Sequence, residues 1–334
     1  MTPLPTSRTG AASPVRAWVE SPLQMISALE AAATGLLGPR VDVVHRMGVT
    51  AVDELALRLR RVALPPGVRL VPSSPWGLWR HAAPGAVGDP FSGAVQARSL
   101  ASRRSPYVVL DDGLATLHLL DLLTRTGTGG ITRPRAHPGN ARRSLAVAAR
   151  SHLLGLARDH RLVVFTMLPV RPEVEVAFVA LGGEIVAHTF AWSSTLREPE
   201  LHGANEVVVG SAMASDGLVD AGAYARWVHD VAAAADGEVV YIPHRREDPA
   251  LTAQVADRAQ IRVERGPWPV EVSLRCLAPG AVVHCLPSTP LLSLRGVLAA
   301  AGVKLVGVPV PDDWWTPAAS PRFRAGLPRV DAPS

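Results

Sequence analysis

Lysine is nearly missing from this chain. Lys304 is the only one, so the 34 basic residues and the formal net charge of +5 rest on arginine. Aromatic residues make up 5% of the sequence and do not interleave with the arginines. A nucleic-acid binder clusters its charge with stacking side chains, so the scarcity argues against nucleic acid as a partner. There are two cysteines, Cys276 and Cys285, neither in a CxxC pair and neither with histidines at zinc spacing. That excludes a zinc motif and a disulfide framework and leaves two small buried thiols. No charge-free apolar run reaches 18 residues, so no membrane span is expected. The opening MTPLPTSRTGAASPVR lacks the apolar stretch of a signal peptide. A cytoplasmic location is expected, with a basic surface suited to peripheral contact with the inner membrane surface. Three chemical fingerprints are missing too: GxGxxG after the first strand, the P-loop lysine motif and GxSxG.

What is present is a core and a rhythm. Hydrophobic residues reach 48% of 334 and charged residues 19%, enough apolar material for two medium domains. Strand patterns fall at 15–20, 41–46, 68–73, 107–113, 161–168 and 184–190. Helical patterns sit between them at 22–35, 50–64, the second half of 88–102, and 114–127. After a polar, turn-rich linker at 193–205 the alternation restarts. Strands are expected at 206–212, 237–244, 261–266, 281–288 and 304–310, with helices at 221–235, 249–258, 268–277 and 289–302. Strands alternating with helices make parallel sheets flanked by helices. Two such runs predict an α/β chain of two Rossmann-like domains facing a central cleft, at 15–200 and 201–316. Residues 1–14 read as a mobile N-terminus, 317–334 as a flexible tail, and the Gly/Pro/Arg-rich stretch 126–145 as a mobile basic loop.

In open α/β sheets ligands bind beyond the carboxyl ends of the strands, so the residues just after each strand carry the information. SPLQ at 21–24 follows the first strand. Ser21 caps a helix with Pro22 at its first position, or forms a polar turn with Gln24 offering an amide to a sugar. Asp111, Asp112 and Gly113 close the strand pattern at 107–113. A helix N-terminus favours one carboxylate but explains two less well. With one aspartate ionised and hydrogen-bonded, the other can have a raised pKa and act as a base; a metal pair is a weaker option, for want of a third hard ligand. His244 follows YIP and precedes Arg245 and Arg246. Protonated, it would stabilise a leaving phosphate or donate a proton. Ser288 and Thr289 lie between a strand and a helix, as a phosphate site at the helix N-terminus or as ordinary caps.

Taken in order, DDG at 111–113, a strand ending in Pro243–His244 and the Ser288–Thr289 pair resemble the motifs of bacterial sialyltransferases and polysialyltransferases. SPLQ and Gly88–Asp89 look similar to members of the same families, and the resemblance spans roughly 15–310. It implies a GT-B fold and inverting transfer of sialic acid or a related nonulosonic acid from a CMP-sugar donor. The acceptor would be a hydroxyl on a glycan, glycolipid or glycoprotein. By the same resemblance Asp112 is the base with Asp111 supporting, and His244 meets the departing phosphate. Ser288 and Thr289 hold the phosphate or the donor carboxylate, and Glu247 binds cytidine or ribose. Gly210 and Ser211 line the nucleotide pocket, and Ser21, Gln24 and Asp89 lie on the acceptor side of the cleft. No metal and no cofactor beyond the activated sugar is implied. The family carries proline after the histidine, whereas this chain has Arg245, which would contact the donor or a different acceptor. A GT-B transferase using a UDP or GDP sugar, and a non-catalytic GT-B-like carbohydrate-binding protein, are the alternatives.

Overall fold

The computed structural model describes residues 13–330 apart from 75, 81, 103–104, 135, 137, 197–200 and 202. Seven strands form one wholly parallel sheet: β1 (Val15–Val19), β2 (Val41–Arg46), β3 (Val68–Ser73), β4 (Ala86–Val87), β5 (Tyr107–Leu110), β6 (Leu162–Thr166) and β7 (Glu184–Ala187). Their spatial order is β3-β2-β1-β4-β5-β6-β7. Five more form a second parallel sheet: β8 (Glu206–Val209), β9 (Val239–Ile242), β10 (Ile261–Val263), β11 (Val282–Cys285) and β12 (Lys304–Gly307), in the order β10-β9-β8-β11-β12. The α/β class with two parallel sheets is thus the architecture that the alternation predicts.

The strands are continuous apolar runs because helices cover both faces of each sheet. Successive side chains go to opposite cores. Ala17 and Val19 join one cluster of the first sheet while Trp18 joins the other. Val108 and Leu110 divide from Tyr107 and Val109 in the same way. In the second sheet Val208 faces one core and Val207 and Val209 the other.

Strand order reverses between β1 and β4 in the first sheet and between β8 and β11 in the second. Such switch points open a crevice at the carboxyl ends of the strands. Ser21 and Asp89 follow β1 and β4, and Ser211 and Ser288 follow β8 and β11. The two halves touch directly. Trp268, Val272 and Val297 pack on a core cluster of the first sheet. Arg275 donates to the carbonyls of Phe190 at 2.7 Å and Thr189 at 2.8 Å, its guanidinium lying 5.2 Å from the Phe190 ring centre. The expected boundary at 200/201 falls where residues 197–200 and 202 lie outside the described residues, as does most of the N-terminal stretch 1–14.

Four regions differ from the expected pattern, one of them a helix at Pro172–Ala180 between β6 and β7, where none is expected. A helix, Asn140–Arg158, takes over the last residues of the stretch expected as a loop. It buries Ala146, Ala149, Leu153, Leu156 and Ala157 at helical spacing beneath its arginines. Residues 317–330 are not a loose tail. Ala319 is buried, a short helix spans Pro321–Ala325, and Phe323 and Leu327 pack on a core of the second sheet. Strand β4, two residues long, has too little sequence to show a period. Among the described residues no helix is long and apolar enough to cross a membrane.

Candidate functional site

The turn after β5 explains why two aspartates stand together. Asp111 has no exposed surface. Its carboxylate accepts from the Gly113 N–H at 2.8 Å, the Thr116 hydroxyl at 3.2 Å, the Thr166 hydroxyl at 2.6 Å and the Met167 N–H at 2.8 Å. Asp111 therefore pins its own turn to the end of β6. Burial still pushes its carboxyl upward, against those four donors. With no exposed surface and four protein donors, it supports the turn, the part expected of it beside Asp112.

Asp112 faces the other way, toward the switch point of the first sheet. The Ser21 hydroxyl lies 3.5 Å from Oδ1. The Gln24 amide bonds the same carboxylate, its own Oε1 accepting from the Glu20 N–H at 2.7 Å. Burial, followed by repulsion from Asp89, pushes Asp112 up to about 7, with Gln24, Arg133 and Arg245 pulling the other way. Asp89 is held by the Phe91 N–H at 2.9 Å and by Arg133 Nη2 at 2.9 Å. The same Nη2 stands 3.8 Å from Asp112 Oδ2. Ser21 also accepts from the Gln24 N–H at 3.3 Å, so it caps the helix Pro22–Ala33 and faces the carboxylate at once. The capping reading of Ser21 is realised, and the Gln24 amide expected to meet a sugar is bonded to Asp112.

The second half of the chain reaches Asp112 through Arg245 and Thr289. Arg245 acts on the Asp112 charge across the gap between the sheets. Thr289 Oγ1 accepts from the Leu114 N–H at 3.2 Å. Leu114 opens the helix Leu114–Thr124, whose N-cap is Gly113 and has no side chain to offer. The cap therefore comes from the opposite sheet. Gly113 is required twice over: its φ is +70°, and a Cβ there would lie 2.6 Å from Thr289 Oγ1. Ser288 donates to the Leu286 carbonyl at 3.0 Å and caps nothing. The first N–H groups of the helix Thr289–Ala299 thus have no side-chain cap, the arrangement that receives anions at helix starts.

His244 departs from the sequence expectation. Burial first, then Arg246 and Arg245, bring it down to about 4, so near neutrality the imidazole is uncharged. Its Nδ1 accepts from the Arg246 N–H at 3.1 Å, leaving the proton on Nε2. The positive charge expected of the histidine resides instead on its neighbour Arg245. Arg245 is among the charges that act on Asp112.

Behind His244 the residues expected to bind the donor form a buried chain. Ser211 N–H donates to the Tyr224 hydroxyl at 3.1 Å, and Tyr224 meets the Tyr241 hydroxyl at 3.0 Å. Tyr241 donates to Glu247, which also accepts from Thr252 at 2.8 Å. Glu247 is buried, which pushes its carboxyl up, and its N–H closes the turn onto the His244 carbonyl at 2.7 Å. A Cβ on Gly210 would sit 2.7 Å from the His244 amide nitrogen, so only glycine lets β8 end against this turn. Gly210, Ser211 and Glu247 thus shape the wall on which His244 and Arg245 are displayed. Sequence reading missed Arg133. It lies in the Gly/Pro/Arg-rich stretch, and nothing in its local pattern marks it; only the fold brings it to Asp89 and Asp112. Among the described residues no three His, Cys, Asp or Glu side chains gather as a metal-ligand set.

No family model matches the chain, and no curated protein does. Among solved structures the chain is similar to one described as a UDP-N-acetylglucosamine 2-epimerase from Listeria monocytogenes. The TM-score is 0.50 at 14% identity, over 89% of this chain and 85% of the other. At that identity the likeness concerns the fold: a GT-B-like pair of Rossmann-type domains.

Proposed function

We propose that this chain is a GT-B glycosyltransferase that acts on a nucleotide-activated sugar, with Asp112 taking the proton from the acceptor hydroxyl. One observation carries the reading. A nearly buried aspartate, with a pKa raised to about 7, stands at the carboxyl end of β5 where the opposing sheet supplies an arginine and a bare helix N-terminus. A base poised near the working pH combines the right protonation state with useful proton affinity.

In the proposed reaction the acceptor oxygen attacks the anomeric carbon as its proton passes to Asp112. The bond from that carbon to the phosphate oxygen breaks, and the electron pair leaves on the phosphate. Arg245, the Nε2–H of His244 and the N-terminal end of the helix Thr289–Ala299 meet the charge that develops there. Attack from the face opposite the leaving group inverts the anomeric centre.

We place a UDP-sugar first as donor. A nucleoside diphosphate leaves with more negative charge than a monophosphate, and Arg245 adds a cation where the sialyltransferase pattern has proline. The solved structure of similar fold, described as acting on a UDP-sugar, points the same way. A CMP-activated nonulosonic acid is the second reading, favoured by the order of the Asp-Asp-Gly, His and Ser/Thr motifs. Calorimetry of the full chain with UDP, GDP and CMP decides between them. Tighter binding of UDP supports the first donor, and tighter binding of CMP replaces it with the second. If none of the three binds, the transferase reading fails.

A further inference from the structure

A cavity of about 310 Å³ opens beside Arg133, lined by Phe91, Gly93, Thr132, Arg133, Pro138 and Arg142 among others. The volume lies at the small end of small-molecule sites, which run from about 300 to 1,000 Å³, and suits one sugar ring rather than an oligosaccharide. Its charge is unbalanced. Arg133 faces two carboxylates outside the cavity lining, Asp89 at 2.9 Å and Asp112 at 3.8 Å. The partners recorded for Arg142 are neutral: Nη1 donates to the Gln96 side-chain oxygen and Nη2 to the Phe91 carbonyl at 2.6 Å. Gln96 is itself buried, with its amide nitrogen donating to the Pro90 and Ile131 carbonyls at 2.9 Å each. That amide is fixed and holds the Arg142 guanidinium against the cavity. The Arg133 guanidinium lies 5.6 Å from the Phe91 ring centre, so both cations share one aromatic-backed wall. Among the described residues the cavity lining carries two guanidiniums and no carboxylate, and such a concave site attracts an anion.

We propose that this cavity is the acceptor subsite and that it recognises an anionic group, a carboxylate or a phosphate, on the acceptor sugar. The role as acceptor subsite rests on the transferase reading; the affinity for an anionic sugar does not. Arg133 joins the two sites, since its Nη2 is 3.8 Å from Asp112. A sugar whose anionic group engages Arg142 and Arg133 has its ring hydroxyls within reach of the Asp112 carboxylate. Arginine suits the task because its fork bonds carboxylate and phosphate through two parallel N–H donors.

The test is calorimetry on the full chain, without nucleotide, using glucose, glucuronate and glucose 6-phosphate. At least one anionic sugar is expected to bind about tenfold or more tighter than glucose, and comparison of the two distinguishes carboxylate from phosphate. Arg142→Gln should remove that advantage, while Arg142→Lys, keeping the charge without the fork, should fall between. Equal affinity for all three sugars, or an unchanged advantage in Arg142→Gln, overturns the inference. If thermal unfolding shows that Arg142→Gln does not fold, Arg133→Gln is judged by the same criterion. Because nucleotide is absent, failure here leaves the nucleotide screen intact, and failure of that screen leaves this affinity to be read on its own.

Discussion

Asp112 is a carboxylate that the fold keeps close to neutrality, and its titration is the most direct handle on the site. A base must be ionised to accept a proton, so kcat/KM should rise with pH through a single acid limb near 7. Repulsion from Asp89 is the second-largest cause of the raised value. Asp89→Asn removes it and leaves Arg133 beside Asp112, so the acid limb should move to lower pH in rate profiles; an unmoved limb would mean that another group titrates. Asp112→Asn should lower turnover about 10²–10⁴-fold. The same substitution has a signature in stability. Asp112 rises from an ordinary 3.8 to about 7 on folding, so the folded state holds this proton more tightly. Stability from this group is complete below pH 4 and is lost as pH rises through 7. The asparagine variant lacks that loss. Its melting temperature relative to the parent chain should therefore climb between pH 4 and 8, whereas a purely structural loss would lower it at every pH.

Among the elements, the helix Leu114–Thr124 owes its first hydrogen bond to the other sheet. Thr289→Val keeps the shape and removes the acceptor for the Leu114 N–H, a change expected to cost about 1 kcal/mol, the worth of a lost cap. Gly113→Ala should cost more, about 1–2 kcal/mol for the left-handed backbone alone, with a further clash against Thr289. Denaturant midpoints of the two variants check the order. Sequence reading succeeded where an element has a period to show. The apolar strands and the helices at 22–33 and 221–234 are long enough to be legible. It failed at β4, two residues between glycines, and at Asn140–Arg158, where Arg142, Arg143 and Arg150 crowd the pattern of small buried residues. The candidate site was legible in its post-strand turns, since topology makes those turns converge. The neutral His244 was not, because the sequence does not show its burial, nor was the pairing of Arg133 with Asp89, two residues far apart in the chain.

At the scale of the whole molecule the two sheets are joined by few contacts of high consequence. Arg275 spans to the Phe190 and Thr189 carbonyls, with Trp268, Val272 and Val297 packed on the first core. Arg275→Gln should loosen the pair, seen as a larger radius of gyration in X-ray scattering with little change in helix content by circular dichroism. Lost helix content would instead make Arg275 part of a domain's own stability. The bond between Thr289 and the Leu114 amide makes the state of that joint felt two residues from Asp112. Drawing the halves apart strips an amide of its acceptor one turn from Asp112 and takes Arg245 away from it. On the proposed reading, the setting of the proton acceptor is therefore a property of the joint between the sheets and not of either sheet alone.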